Sequence, residues 1–178
     1  MMKKTIIAVS LLALTNAASA IDGTIHFSGA FTDAPCEINI NGSQANSSNS
    51  VSVNLDTWST ASYQNNVGAT TDLKPITISL SNCPNMTQAN IRFSGAVDAT
   101  NPELFAIDTG VETASNVGIG IYKSSNTADI ISPNDRTVSI PLTAQTGDYT
   151  FYASYMTTGS SVGEGAANAD VTLDISYE

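Results

Sequence analysis

The stretch GAANADVTLDISYE, residues Gly165 to Glu178, decides the fold class. From Val171 it alternates strictly. Val171, Leu173, Ile175 and Tyr177 fall on one side, and Thr172, Asp174, Ser176 and Glu178 on the other. A period of two predicts a β-strand with one buried face. No hairpin partner follows it. What covers its edge is the question the rest of the sequence has to answer.

Working outward, short alternating runs of the same kind recur. They are Ile21–Phe27, Cys36–Ile40, Val51–Leu55, Ile76–Leu80, Asn90–Phe93, Val117–Tyr122, Thr137–Ile140 and Tyr149–Tyr155. Gly, Asn, Ser, Asp and Pro separate them, and Asn41–Ser50 (NGSQANSSNS) reads as a polar loop. Helical periodicity is nearly absent. Many short strands with turn signals between them predict an all-β sandwich. An immunoglobulin-like arrangement fits this length, although the Cys…Trp…Cys spacing of antibody domains is missing.

The first twenty residues stand apart. Lys3 and Lys4 precede the apolar run Ile6–Leu14, and Ala18-Ser19-Ala20 follows. These are the three parts of a secretory signal peptide, and the run is too short to span a bilayer. Cleavage after Ala20 makes Ile21 the mature N-terminus. Of the six basic residues, four then face 16 acidic ones, a formal charge of −12. So acidic a chain disfavours nucleic acid and anionic membrane as partners. In an exported chain the only two cysteines, Cys36 and Cys83, are expected to form one disulfide. Closing a loop of that length contributes about 4 kcal/mol on a chain-entropy estimate.

Little in the composition supports catalysis. The single histidine, His26, lies between Ile25 and Phe27 and is expected on the polar face of its strand. One histidine cannot build a typical catalytic zinc or copper site, and no glycine-rich phosphate loop opens a helix. No enzyme activity, metal or cofactor is expected. Asn41-Gly-Ser and Asn85-Met-Thr match the N-glycosylation pattern, a short match of little weight. Trp58 and Tyr63 lie close in sequence. They form either a sugar platform or an ordinary aromatic pair.

Both ends of the mature chain thus carry alternating apolar strands, and the first is set off by Asp33-Ala-Pro-Cys36. Proline interrupts a ladder, so Ile21–Phe31 is separable from the body. Here the residues resemble a known family. GTIHFSGAFTDAPCEI (Gly23–Ile38), ISLSNCP (Ile78–Pro84), YTFYASYMTTG (Tyr149–Gly159) and the closing GAANADVTLDISYE are similar to the chaperone–usher fimbrial subunits, the type 1 pilin-like proteins. The penultimate aromatic, Tyr177, and the glycine fourteen residues from the end, Gly165, match the family's carboxy-terminal pattern.

The resemblance implies an incomplete immunoglobulin-like sandwich that lacks its last strand and is completed by a donor strand from another subunit. It implies a signal peptide over 1–20, a donor-strand extension over 21–31 and a pilin domain over 32–178. Ile21, Gly23, Ile25 and Phe27 would be the inserted residues. Gly165, Val171, Leu173, Ile175 and Tyr177 would belong to the acceptor groove. Phe31 fits either the donor strand or the body, so the donor register stays open. The implied function is a structural subunit of a fimbrium on the bacterial surface, polymerising by donor-strand exchange and supporting adhesion. The implied partners are other fimbrial subunits, a periplasmic chaperone, an outer-membrane usher and, for a subunit that adheres, a host surface ligand. Two other readings stay open: a minor adaptor or ligand-binding subunit, and a free-standing secreted module whose terminal strands pair with each other.

Overall fold

The computed structural model describes residues 36–46, 50–135 and 137–178. The strands, in chain order, are β1 (Glu37–Ile40), β2 (Ser43–Ala45), β3 (Lys74–Ser81), β4 (Gln88–Ser94), β5 (Phe105–Ala106), β6 (Val117–Tyr122), β7 (Thr137–Pro141), β8 (Gly147–Thr157) and β9 (Thr172–Tyr177). They form two antiparallel sheets. One runs β2-β1-β3-β8-β6-β5 and the other β7-β4-β9. The fold is the immunoglobulin-like β-sandwich expected from the alternating runs.

Each strand forms where alternation gives it an apolar face. β3 buries Ile76, Ile78 and Leu80, while β7 buries Val138 and Ile140 and exposes Thr137 and Ser139. β4 adds Ile91 and Phe93, and β8 adds Phe151 and Ala153. These side chains meet between the sheets in one continuous core. Phe93 and Phe151 meet edge to face, with ring centres 5.0 Å apart. β6 is buried along its whole length. Tyr122 lies back over Gly120, where any Cβ would overlap its hydroxyl, and that hydroxyl accepts a 3.2 Å hydrogen bond from Ser154. A glycine within this strand is therefore the space a buried tyrosine requires.

Three segments depart from the sequence reading. The polar stretch after Ile40 is not only loop. Asn41 and Gly42 both take positive φ, and Ile40 pairs with Ser43, so a two-residue turn opens the β1–β2 hairpin. β5 is a two-residue strand too short to leave a pattern. Val51–Leu55, read as a strand, enters no ladder. It keeps the alternation all the same: Ser52 and Asn54 are exposed, Val51 and Val53 are half-buried, and Leu55 is buried. Cys36 and Cys83 form the expected disulfide, with an S–S length of 2.04 Å.

Candidate functional site

β9 is an edge strand. Its register against β4 sets Leu173 opposite Phe93, Ile175 opposite Ile91 and Tyr177 opposite Ala89. The apolar residues of the closing run therefore share a face with buried β4 residues and pack against the core. Thr172, Asp174 and Ser176 alternate with them. Asp174 accepts a 2.5 Å hydrogen bond from Ser94 Oγ and pairs with Arg92 at 3.4 Å. The end of the strand is knitted to β4 as well, since the Thr87 and Gln88 amides donate to the Glu178 carbonyl at 2.8 and 3.0 Å.

The other side of β9 has no ladder among the described residues. Its outward N–H and C=O groups form a row of unpaired donors and acceptors. The remaining edges are blunted. β2 and β5 have three and two residues, and β7 ends on Pro141. β9 has six residues and no proline. It is the one edge strand, among those described, left open for pairing.

A groove of about 380 Å³ runs beside it. Ala169, Val171 and Leu173 line it, together with Val51, Val53 and Leu55 and residues of β3, β6 and β8. Val171, Leu173, Ile175 and Tyr177 are all half-buried; Val171 and Leu173 line the channel, and Ile175 and Tyr177 continue the same face of the strand beyond it. Among the described residues, Asp170 is the one charged side chain that lines it. An alternating apolar strand fits such a surface better than a polar ligand does.

The two ends of β9 are fixed differently. At its end, the Tyr177 hydroxyl accepts from the Cys36 amide at 3.3 Å. Before its start, the Tyr155 hydroxyl donates to the Ala167 carbonyl at 2.8 Å. Burial pushes the Tyr155 hydroxyl above its ordinary pKa, so it remains a donor at neutral pH. Gly165 lies further back, outside the groove, with φ at +144°. A Cβ there would come within 2.6 Å of the Ala114 nitrogen. Its neighbour Ala166 exchanges backbone hydrogen bonds of 2.8 Å with Glu112 and Ala114. Gly165 thus lets the segment leading into β9 lie flat against residues 112–114.

Ile21, Gly23, Ile25 and Phe27, along with His26 and Phe31, lie outside the described residues. The sequence points to β9 but not to Val51, Val53 and Leu55, which also line the groove. Val51, Val53 and Leu55 were visible as an alternating run, and their role in the groove follows from their having no partner strand. Among the described residues, no group of three or more His, Cys, Asp or Glu side chains could hold a metal ion, and no helix is long and apolar enough to cross a membrane.

Known proteins share both the sequence and this architecture. Residues 25–178 match the family model described as fimbrial protein. The chain is 34% identical to the probable major fimbrial subunit LpfA of Escherichia coli O157:H7, over 99% of this chain and 98% of that one. It is 36% identical to the fimbrial-like protein SfmA of Escherichia coli K12, over 97% and 95%. Among solved structures, the P pilus rod subunit PapA superposes with a TM-score of 0.61 at 17% identity, covering 82% of this chain and 100% of that one. That last likeness bears on the fold alone.

Proposed function

The chain belongs to the fimbrial protein family, and from that premise we propose that its two ends join it to its neighbours by donor-strand exchange. It is a non-enzymatic, structural subunit of a fimbrium. The groove beside β9 is the acceptor, and the segment Ile21–Phe31 of the next subunit is the donor. The observation that carries this reading is the unpaired edge of β9 above an apolar channel.

An inserted strand meets both needs of that edge, since its backbone completes the ladder and its alternate side chains fill the channel. Burying Ile21, Ile25 and Phe27 contributes about 4.5–9 kcal/mol before ordering costs, at roughly 1.5–3 kcal/mol each. Ladder hydrogen bonds add to that. Gly23 suits a shallow position where the two backbones approach closely. Such insertion is head to tail, and heterologous contacts that do not close build filaments.

The rest of the assembly route is what the resemblance to chaperone–usher subunits implies. Before a neighbour arrives, the open edge would aggregate. A periplasmic chaperone lending its own strand protects it after export, and an outer-membrane usher exchanges that strand for the donor. The finished subunit lies in the fimbrium on the cell surface. The test is assembly. Wild-type protein should give ladders that survive mild detergent, while Ile25→Asp should leave monomer only, with Val171→Arg behaving alike. Ladders undiminished by either change would overturn the reading.

A further inference from the structure

Trp58 and Tyr63 do not line the groove beside β9. The two rings stand edge to face, ring centres 6.3 Å apart and planes at 90°. They flank a short 3-10 turn, Thr60–Ser62. The Trp58 indole N–H is spent on the Leu55 carbonyl at 2.7 Å, which fixes the ring. Both rings line a second cavity of about 440 Å³, within the range of about 300–1,000 Å³ usual for small-molecule sites. Tyr155, Ala167 and Asn168 also line the groove beside β9 and so stand between the two spaces.

The second cavity differs in chemistry from the groove. Thr57, Ser59, Glu164 and Asn168 line it, and their side chains make no hydrogen bond among the described residues. Asp56 lines it too, already paired with Lys74. Among the described residues, no lysine, arginine or histidine lines the cavity. Fixed aromatic faces next to unengaged hydroxyl, amide and carboxylate groups suit a ligand that has an apolar face and a hydroxyl-bearing rim. Asp56 is balanced by Lys74, and the remaining carboxylate, Glu164, has no cation partner among the described residues and disfavours an anion.

We propose that this cavity binds a neutral carbohydrate. The C–H face of one sugar ring packs against Trp58, and Glu164, Asn168 and the Thr57 and Ser59 hydroxyls take its hydroxyl groups. Sialylated, sulfated and phosphorylated sugars are refused by the unpaired carboxylate of Glu164. The site lies apart from the β9 edge, so the proposal stands whether or not donor-strand exchange does.

Trp58 is the only tryptophan of the chain, so its fluorescence reports the site directly. The full-length protein, assembled as the cell assembles it, would be titrated with a panel of neutral mono-, di- and trisaccharides beside their sialylated forms. A saturable change in Trp58 emission with a neutral sugar is expected, and none with the sialylated forms. Binding to the same sugar immobilised should weaken at least tenfold in Trp58→Ala and severalfold in Glu164→Gln and Asn168→Ala. The last two positions are exposed, so those variants read the site even if Trp58→Ala does not fold. Detergent-resistant assembly should be unchanged in Glu164→Gln, which separates failure here from failure of the polymerisation reading. No response to any neutral sugar, a response confined to anionic or amine-bearing ligands, or binding indifferent to all three substitutions would overturn the proposal.

Discussion

The backbone N–H of Cys36 donates to the hydroxyl of Tyr177 at 3.3 Å. Cys36 is also bound to Cys83, whose amide donates to the Gln145 carbonyl at 3.1 Å. One end of the sandwich is thereby held by a covalent bond and hydrogen bonds together, and the end of β9 is fastened to it. The rest of the outer edge of β9 stays open. This single contact separates two roles for Tyr177. Its ring packs on the core, and its hydroxyl positions the strand. Tyr177→Phe should keep the first and lose the second, costing about 0.5–1 kcal/mol. Tyr177→Ala should cost about 2–3 kcal/mol, less than a fully buried aromatic because the ring is half-exposed. Thermal unfolding of the two variants against the parent checks the difference.

Gly165 should tolerate no side chain. Its φ of +144° disfavours any L-residue, and the obstructing atoms are backbone, which cannot swing away. Gly165→Ala should destabilise by at least about 2 kcal/mol and loosen the segment leading into β9. Hydrogen exchange should report that loosening at Ala114 and Ala166, whose amides are bonded across this contact.

Val171 lines the groove but sits just before the ladder and is half-exposed. Val171→Arg should therefore change the stability of the domain by less than about 1 kcal/mol. A donor strand laid over it would bury an unpaired guanidinium, at a cost of several kcal/mol. Affinity for an Ile21–Phe31 peptide should fall at least about a hundredfold, measured by calorimetry, while circular dichroism stays unchanged.

The alkaline limit of stability should trace in part to Tyr122, with Tyr155, also raised by burial, adding to it. Burial raises the Tyr122 pKa above the ordinary 10.0, and the hydrogen bond from Ser154 offsets part of that rise. A raised folded value means the stabilisation is complete below the unfolded pKa and is lost as pH rises through the folded one. Lys74 shifts in the same direction, first through its hydrogen bond to Asp56, so that ion pair too is lost only at alkaline pH. Stability should be level from neutral pH to about 10 and then fall. Tyr122→Phe should cost about 1 kcal/mol at pH 7, because Ser154 loses its partner, yet move the alkaline midpoint upward.

The strands that build the core were legible because their alternation is strict and their neighbours are strands. Ile76, Ile78 and Leu80 are one case, and Leu173, Ile175 and Tyr177 another. The β1–β2 hairpin was legible but misread. Asn41-Gly42 is a strong two-residue hairpin signal, and the polar residues after it concealed a strand at the sheet edge with no face to bury. Asn41 is also engaged: its side chain accepts from the Thr77 amide at 2.8 Å and donates to the Pro75 carbonyl at 3.3 Å. That gives the Asn-Gly-Ser match a structural reason. Val51–Leu55 failed in the opposite way. Its alternation reports burial on one side, which is real, but a strand also needs a partner, and periodicity does not contain the partner. Gly165 is singled out only by its match to the family's carboxy-terminal pattern. The reason for it, the close passage against Thr113 and Ala114, required coordinates.

The most direct test of the account uses a chain trimmed to begin at Thr32, oxidised and refolded, with its thermal unfolding recorded alone and with a synthetic Ile21–Phe31 peptide. If β9 borders a vacant strand position, the peptide should raise the unfolding temperature by tens of degrees, as about 4.5–9 kcal/mol of side-chain burial at 2–4 °C per kcal/mol requires. The same peptide with Ile25→Asp should lose most of that effect. A trimmed domain already stable to heat and indifferent to the peptide would mean that the sandwich is complete without a donor, and the polymerisation account would be wrong.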